Sequence, residues 1–250
     1  MKAAIKILSI LLVAGTLLIL ASYGAIHVAK RLWLRIPFAQ AQAWNAIIEQ
    51  RKTALSTHSW LDSRPLNVLA GDSHIEFGNW YHDCRGAFSI RNCGLASAGI
   101  EDVANLLSAL KEPRIETLLL LCGINNLGRE ETPVMCLDRY KHLLDQAHTL
   151  VPQKIVAVSV MPVRQSAADS RSRQINARVR EFNALLKALC EQRGIVYLDI
   201  TAHLTDTNSG LIEEFTEDGL HLNPRGYATI TPEICKVLSQ NKNPTNPGSP

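Results

Sequence analysis

Four residues of types that can carry out acyl transfer follow separate apolar segments of the chain. Ser73 lies in "GDSH", Asn125 lies in "CGINN", and Asp218 and His221 both lie in "DGLH". A serine hydroxyl becomes an effective nucleophile when an imidazole removes its proton, and a carboxylate can hold that imidazole in the required tautomer. An asparagine amide can donate a hydrogen bond to the oxyanion that forms when a serine attacks a carbonyl. The four residues together therefore predict nucleophilic chemistry at a carbonyl group.

Each of these residues also has an ordinary structural explanation. Asp72 and Ser73 are favoured helix N-cap residues, whereas Asn125 and Asp218 are common turn formers. His221 taken alone could be a surface or core histidine. The catalytic interpretation is favoured because the residues follow successive apolar segments in an order that a shared site requires.

Apolar segments alternate with helical patterns from residue 66 onwards, which is typical of an α/β domain. Strands are predicted at Leu66–Ala70, Phe88–Asn92, Thr117–Cys122, Lys154–Val160 and Ile195–Ile200, and helices at Ile100–Leu110, Val134–Leu150, Ile175–Arg193 and Pro224–Ser239. This order predicts three α/β/α layers around a flavodoxin-like, mainly parallel five-stranded sheet. Gly71 is expected to provide backbone freedom where the first strand ends. Because loops that follow parallel strands share one edge of the sheet, the candidate residues are expected to converge there.

The same motifs resemble the conserved blocks of the SGNH or GDSL hydrolase family, which is named for Ser, Gly, Asn and His in separate segments. "GDSH" is similar to the first block around Ser73, "GINN" to the block that supplies Asn125, and "DGLH" to the block with Asp218 and His221. The resemblance extends from Asn67 to about residue 230. It implies an esterase, lipase, thioesterase or carbohydrate deacetylase that works without a metal or cofactor.

Three positions depart from the family pattern. His74 stands where many members carry Leu or Ile, and Asn126 replaces the usual Asp. In "NCGLAS", Ser97 occupies the place of a glycine whose backbone N–H serves the oxyanion. Serine also has this N–H group, so the resemblance implies Ser97 as a second oxyanion donor, with Gly94 and Gly99 as alternatives.

The first part of the chain contains a segment long enough to cross a membrane. Ile7–Ala29 comprises 23 residues without Asp, Glu, Lys or Arg, which is typical of a transmembrane helix. We predict an anchor at residues 1–29, with a cleaved signal segment and a secreted protein as the alternative. The hydrolase domain is then expected on the periplasmic or extracellular side.

Three further segments complete the predicted organisation. Residues 30–64 are predicted to form a membrane-proximal stalk that contains an amphipathic helix at Phe38–Leu55. Residues 65–240 correspond to the SGNH-type hydrolase domain. Residues 241–250 have no apolar residue other than proline, and this composition predicts a disordered tail.

Composition makes several other classes of partner improbable. The net charge is +3, without a long basic run, which disfavours nucleic acid as a partner. The six cysteines form no CxxC pair, so no zinc or redox motif is predicted. Most of them are expected to be buried, and a bridge between Cys84 and Cys93 is one option.

The prediction is a membrane-anchored serine esterase that forms an acyl-enzyme on Ser73. Its substrate is expected to be a small-molecule, lipid or carbohydrate ester, with acetylated envelope polysaccharide and lysophospholipid as the two favoured choices. The alternative is a noncatalytic carbohydrate-binding or assembly component that keeps the fold. Arg164 could contact a substrate anion, although a solvent-exposed side chain is the favoured interpretation. The oligomeric state is left open.

Overall fold

Five parallel strands form one sheet in the computed structural model, which describes residues 43–56, 66–84, 89–111, 114–150, 152–165 and 169–240. The strands are β1 (Leu66–Gly71), β2 (Ser89–Gly94), β3 (Thr117–Leu121), β4 (Lys154–Val158) and β5 (Val196–Leu198). Their order in the sheet is β2-β1-β3-β4-β5. This is the flavodoxin-like order, in which the chain changes direction of winding between β1 and β3. The predicted α/β class and parallel five-stranded sheet are confirmed.

The strands are apolar because both faces of the sheet are covered. Every residue of β1, β3 and β4 is buried, as expected for a parallel sheet between two helical layers. The short strand β5 lies at the edge and is half-buried. Gly71 at the end of β1 is in register with Gly94 of β2 and Leu121 of β3. The loops that follow these three strands therefore begin side by side.

Helices precede, connect and follow the strands. They are α1 (residues 43–56), α2 (Ser73–Glu76), α3 (Trp80–Asp83), α4 (Ile100–Leu107), α5 (Ile124–Gly128), α6 (Pro133–Thr149), α7 (Ser170–Arg193) and α8 (Pro224–Ser239). The four long helices predicted from periodicity are present, with α7 beginning five residues earlier than expected. The short helices α2, α3 and α5 were not predicted, because one turn of helix carries no periodic signal.

The two faces of the sheet pack against different helices. Leu69, Leu119 and Val156 lie in a core cluster with residues of α8 such as Ile230 and Ile234. Strand side chains alternate between faces, so the neighbouring positions of the same strands point to the opposite layer. Helices α4, α6 and α7 pack side by side in sequence order. The α/β/α arrangement follows from this division.

Helix α8 is fixed at both of its ends. At its start, the Asn223 side chain accepts hydrogen bonds from the N–H groups of Arg225 and Gly226, at 3.0 and 3.1 Å. At its end, the buried Lys154 ammonium donates to the carbonyl oxygens of Val237 and Gln240. Burial lowers the pKa of Lys154, and a lysine is a favourable partner for the free carbonyls of a helix C-terminus. Fixing α8 matters for the site because this helix begins just after His221.

The cysteine pairing differs from the option raised above. Cys84, after α3, forms a disulfide with Cys235 on α8, so a bridge between Cys84 and Cys93 is wrong. Cys93 is a free, buried residue of β2, whereas α3 and α8 are neighbours in the fold. The remaining cysteines, Cys122, Cys136 and Cys190, are also free and buried. The expectation that most cysteines are buried is confirmed.

Several sequence predictions fall on parts of the chain outside the described residues. These are the anchor at Ile7–Ala29, most of the stalk and the tail at 241–250. Of the predicted stalk helix, residues 43–55 belong to α1. The chain divides into two units at the boundary between Gln50 and Arg51, which lies within α1. None of the helices in the described ranges is long and apolar enough to span a membrane.

Candidate active site

The turn that carries Ser73 begins where β1 ends. Asp72 caps α2 by accepting a hydrogen bond from the His74 N–H at 3.0 Å, and Ser73 is the first residue of the helix. A Cβ atom on Gly71 would lie 2.0 Å from the carbonyl oxygen of Leu121. Glycine is therefore required here for space, and not for the backbone freedom that the sequence suggested, since Gly71 is not among the residues with positive φ.

Helix α2 is held in place by its neighbours. A single helical turn has little stability of its own. The indole of Trp80 and the side-chain amide of Asn92 both donate to the Ile75 carbonyl oxygen at 2.8 Å, and the Tyr227 hydroxyl donates to the His74 carbonyl oxygen at 2.9 Å. These contacts come from α3, β2 and α8. They fix the position of the Ser73 side chain relative to the sheet.

Ser73, His221 and Asp218 form a hydrogen-bonded chain. The Ser73 Oγ lies 3.0 Å from His221 Nε2, and His221 Nδ1 lies 2.6 Å from Asp218 Oδ2. Ser73 is only 3% exposed, whereas the other two side chains are partly open to solvent. The structure thus brings together the three residues that the sequence selected, in the arrangement of a nucleophile, a base and an orienting carboxylate.

A tight loop presents Asp218 and His221 on the same side. It is closed by an antiparallel bridge between Thr216 and Leu222. Asp218 Oδ1 accepts the backbone N–H groups of Leu220 and His221 at 2.9 and 2.8 Å. Burial alone would raise the pKa of Asp218, but its hydrogen bonds from the His221 ring and these N–H groups hold the pKa well below its usual range. The carboxylate is therefore ionised at neutral pH and can hold the imidazole.

The second loop has a free donor at Ser97. Among the described residues, the backbone N–H groups of Ser73 and Ser97 have no hydrogen-bond acceptor. By contrast, the Gly94 N–H donates to Asn92 Oδ1 and the Gly99 N–H donates to an oxygen of Asp102, both at 2.9 Å. The two glycines offered as alternatives to Ser97 therefore have their N–H groups occupied.

Ser97 also adopts a backbone conformation that favours glycine. Its φ of 66° lies in the left-handed region, which glycine enters at little cost and other residues enter less often. This conformation explains why the family pattern has glycine at this position.

The amide of Asn125 is partly engaged. It lies in the first turn of α5, directly after β3, and its Nδ2 donates to the Ala98 carbonyl oxygen at 2.9 Å. An amide nitrogen carries two hydrogens, so one N–H remains to serve an oxyanion. The bond to Ala98 holds the amide against the loop that contains Ser97. Three groups therefore have an N–H that remains available: this amide and the backbone of Ser73 and of Ser97.

The departure at Asn126 has a structural explanation. Asn126 is fully buried, and its Oδ1 accepts from the Ile100 N–H at 2.9 Å. Its Nδ2 donates to carboxylate oxygens of Glu101 and Glu131, both at 3.0 Å. An aspartate at this position would face these two carboxylates without a hydrogen to donate. The amide joins α4 to the segment after α5, and it is not directed at the nucleophile.

His74, one of the departures from the family pattern, has a hydrogen-bond partner at each ring nitrogen. Its side chain is buried, with Nδ1 3.1 Å from Asp72 Oδ1 and Nε2 3.1 Å from the Leu220 carbonyl oxygen. Both partners are acceptors, so the doubly protonated imidazolium is the form of the ring that donates to both of them. Burial lowers the pKa of His74, but the hydrogen bond and charge of Asp72, with help from Leu220 and Asp218, raise it above its ordinary value. Nothing in the spacing of "GDSH" reveals the partner at Leu220.

Two pockets flank the catalytic arrangement. A pocket of about 820 Å³ has walls from Phe77, Leu222, Tyr227 and Pro232, and the Phe77 ring lies 5.3 Å from the His221 ring. A second pocket of about 470 Å³ borders Asn125 and the Asp218 loop on the other side. In the described part of the chain, no group of three or more His, Cys, Asp or Glu residues is arranged to hold a metal ion.

Solved structures share this fold. A protein of Streptococcus pneumonia named after platelet activating factor has a TM-score of 0.71 and 21% identity, covering 81% of this chain and 98% of its own. A GDSL-like lipase of Bacteroides thetaiotaomicron has a TM-score of 0.59 and 16% identity over 77% and 96% of the two chains. A carbohydrate acetylesterase of Sinorhizobium meliloti has a TM-score of 0.57 and 14% identity, covering 70% of this chain and 99% of its own. At these identities the likeness shows the fold alone.

Sequence comparison gives the family. No curated protein matches the chain. The family model of the GDSL-like lipase/acylhydrolase family matches residues 68–229, which is more than half of the chain and includes most of β1, the Ser73 turn and the Asp218 loop. This chain therefore belongs to the GDSL-like lipase/acylhydrolase family and is a serine hydrolase that acts on ester bonds.

Proposed function

We propose that the chain is a membrane-anchored serine esterase that forms an acyl-enzyme on Ser73. One observation carries this proposal: the continuous hydrogen-bonded chain from Ser73 Oγ through the His221 ring to Asp218, with distances of 3.0 and 2.6 Å. The nucleophile is nearly buried, so a substrate must enter the site before its carbonyl meets the hydroxyl. An ordinary turn residue would not require this alignment of three side chains.

The geometry supports a two-step reaction. His221 Nε2 takes the proton of Ser73 as Oγ attacks the ester carbonyl, and the resulting imidazolium is stabilised by Asp218. The oxyanion accepts hydrogen bonds from the N–H groups of Ser73 and Ser97 and from the free N–H of Asn125. His221 then gives its proton to the departing alcohol. In the second step, water gives a proton to His221 and attacks the acyl group. The bond between the acyl carbon and Ser73 Oγ then breaks, His221 returns its proton to Oγ, and the acid is released.

We propose two substrate classes for this reaction. The first is an acetyl ester of envelope carbohydrate, in keeping with the carbohydrate acetylesterase of similar fold. The second is a lysophospholipid, for which the pocket beside Phe77 provides apolar wall for an acyl chain. A panel of chromogenic esters with acyl chains of two to twelve carbons tests this choice, because the acetyl substrate predicts a steep fall with chain length and the lysophospholipid predicts a rise.

The proposed location is outside the cytoplasm, with residues 1–29 as the anchor. The uncharged segment Ile7–Ala29 supports the anchor. The Cys84–Cys235 disulfide supports an oxidising compartment, because such bonds persist in the periplasm and outside the cell. Retention in membranes after a carbonate wash tests the anchor. A mature chain that begins near Ala25 would instead indicate a cleaved signal segment.

The alternative is a noncatalytic carbohydrate-binding or assembly component. It is disfavoured because Ser73, His221 and Asp218 are all present and aligned. Labelling with a fluorophosphonate distinguishes the two functions: an esterase is labelled at Ser73, and Ser73→Ala loses both labelling and turnover. Ser108→Ala is the matched control, because Ser108 is an exposed serine at the end of α4. Full esterase activity in Ser73→Ala would reject the proposal.

A further inference from the structure

Three arginines line the pocket that borders the oxyanion side of the site. This pocket of about 470 Å³, which we name the arginine pocket, has Arg129, Arg164 and Arg171 in its wall together with Asn125 and Leu220. Arg129 follows α5, Arg164 lies in the loop after β4, and Arg171 is in the first turn of α7. Three separate segments therefore direct positive charge to one pocket at the carboxyl edge of the sheet, where α/β proteins bind their ligands.

The guanidinium groups keep most of their hydrogen-bond donors. Each carries five N–H donors. One nitrogen of Arg129 donates to the Ser97 carbonyl oxygen at 2.8 Å, and one nitrogen of Arg171 lies at the long distance of 3.4 Å from the Gly128 carbonyl oxygen. Neither side chain has an ion pair with any residue that the structure describes. These two guanidiniums can therefore pair with an incoming anion.

Arg164 has a weak internal partner. Its Nη1 lies 3.5 Å from Glu213, a carboxylate that is 81% exposed, and exposed pairs of this kind contribute little. Its backbone N–H donates to the Gly219 carbonyl oxygen at 2.7 Å. This bond places Arg164 beside the loop that carries Asp218 and His221. The Arg164 side chain is exposed, as the sequence analysis favoured, and it also lies in the wall of a pocket next to the site.

Two carboxylates in the same wall are already engaged. Asp169 caps α7 by accepting the N–H groups of Arg171 and Ser172 at 2.9 and 3.2 Å, and these backbone bonds lower its pKa. Asp218 holds the His221 ring and two backbone N–H groups. Neither forms an ion pair with an arginine of the pocket. The charge of the three arginines therefore exceeds that of the two carboxylates.

We propose that the arginine pocket binds an anionic group of the ester substrate, a phosphate, sulfate or carboxylate next to the scissile bond. Arginine is suited to this role because its planar fork donates two parallel hydrogen bonds to such groups. Asn125, which lies in the same wall, places the anion on the oxyanion side of the ester. This inference rests on the proposed esterase function and names its substrate class.

The test uses a matched pair of small esters, 4-acetoxybenzoate and its neutral methyl ester. In Arg164→Gln, Arg171→Gln and the double variant, kcat/KM for the anionic ester should fall about 10-fold relative to the neutral ester, mostly through KM. Comparing each variant with wild type cancels the different reactivities of the two esters. Added NaCl should raise KM for the anionic ester selectively.

A control variant comes from the other end of the same helix. Arg193→Gln removes an arginine of the last turn of α7, which pairs with Asp145 at 2.7 Å and lies outside the pocket wall. It should leave the ratio of anionic to neutral kcat/KM at the wild-type value. An equal ratio in wild type and in the Arg164/Arg171 double variant overturns the proposal.

Two further pairs of substrates distinguish the two natural sources of the anion. Lysophosphatidylglycerol against monoacylglycerol tests a lipid phosphate, and an O-acetylated polyuronate against an O-acetylated neutral glycan tests a sugar carboxylate. In one of these pairs, the ratio of kcat/KM for the anionic and the neutral substrate should change when Arg164 and Arg171 are replaced. That pair identifies the source of the anion.

A binding measurement keeps this inference distinct from the esterase proposal. Calorimetric titration of 4-acetoxybenzoate into Ser73→Ala protein should show binding that is lost in the additional Arg164→Gln/Arg171→Gln background. If the wild type hydrolyses neither ester but this arginine-dependent binding is present, the esterase proposal fails and the anion site stands. If both esters are hydrolysed with an unchanged ratio and no such binding occurs, the anion site fails alone.

Discussion

The Nε2 atom of His74 lies 3.1 Å from the carbonyl oxygen of Leu220, the residue that precedes His221. His74 itself follows the nucleophile Ser73, so this hydrogen bond joins the turn of the nucleophile to the loop of the base. Because its other nitrogen faces Asp72, the ring needs both hydrogens to satisfy its two partners. A proton on a buried side chain thus helps to position the catalytic pair.

Replacing His74 should change the pH profile as well as the rate. We expect His74→Leu to lower kcat roughly 10-fold to 100-fold, because a small displacement of a catalytic group is enough for such losses. In wild type, kcat should also fall at alkaline pH as His74 loses its proton, and His74→Leu should lack this alkaline limb. His74→Gln, whose amide can donate to Leu220, should recover part of the rate. Identical pH profiles in wild type and His74→Leu would exclude the positioning role.

The same proton should contribute to stability over a defined pH range. The pKa of His74 is raised in the folded protein, so folding favours its charged form. This contribution is fully present below the ordinary value of about 6.5 and is lost as pH rises through the folded pKa. Urea unfolding of wild type between pH 6 and pH 9 should show the loss, and His74→Leu should not. If the free energy of unfolding differed between wild type and His74→Leu by the same amount at every pH, this linkage would be contradicted.

Substitution of the neighbouring asparagines should separate catalysis from structure. Asn125→Ala removes a proposed oxyanion donor and should lower kcat roughly 10²-fold to 10³-fold with KM little changed. Asn126→Asp places a carboxylate against Glu101 and Glu131, and it should instead lower the free energy of unfolding by about 1–3 kcal/mol. Measuring kcat and urea stability for both variants tests this. A wild-type kcat in Asn125→Ala would remove Asn125 from the oxyanion site.

Asp218→Asn tests the orienting carboxylate. Asp218 is held ionised by the lowered pKa described above, so wild type should keep this group charged across the range in which the enzyme is assayed. The amide keeps the shape but loses the charge that stabilises the imidazolium, and kcat should fall roughly 10²-fold to 10⁴-fold. Steady-state kinetics on a short acyl ester measures the effect. Asp145→Asn, at an exposed aspartate of α6, is the control and should leave kcat unchanged.

The free thiols should be inert in the folded protein. Burial raises the pKa of Cys93 to about 11, and that of Cys136 and Cys190 to about 12. Because the thiolate is the reactive form, a thiol reagent such as DTNB should not react with the native chain at pH 8. In urea without reductant it should detect the four free cysteines. Detection of all six cysteines under that condition would show that the Cys84–Cys235 bond is absent.

The limits of sequence-based prediction follow from how local each signal is. Strands such as β3 are continuous apolar segments, and Asn125 and Ser73 follow such strands directly, so the sheet and the convergence at its edge could be predicted. The choice of Ser97 over Gly94 could not, because it depends on which backbone N–H groups already have acceptors.

Other features required partners that are remote in sequence. Cys84 and Cys235 are separated by 151 residues, and no local pattern selects that pairing over Cys93. His74 acquires its role only when the Leu220 carbonyl is placed beside it. The arginine pocket likewise forms only when the loop after β4 and the start of α7 meet the Asp218 loop. Short-range patterns thus predicted elements, whereas contacts between distant segments decided the details of the site.

The disulfide shortens the covalent path between the nucleophile and the base. Ser73 and His221 are 148 residues apart along the backbone, but Cys84 lies soon after Ser73 and Cys235 lies soon after His221. In the unfolded oxidised chain, the two catalytic residues are therefore tethered through a small fraction of that contour length. Since the entropy of closing a loop grows with its length, the oxidised chain assembles its nucleophile and base from a more restricted ensemble than the reduced chain does.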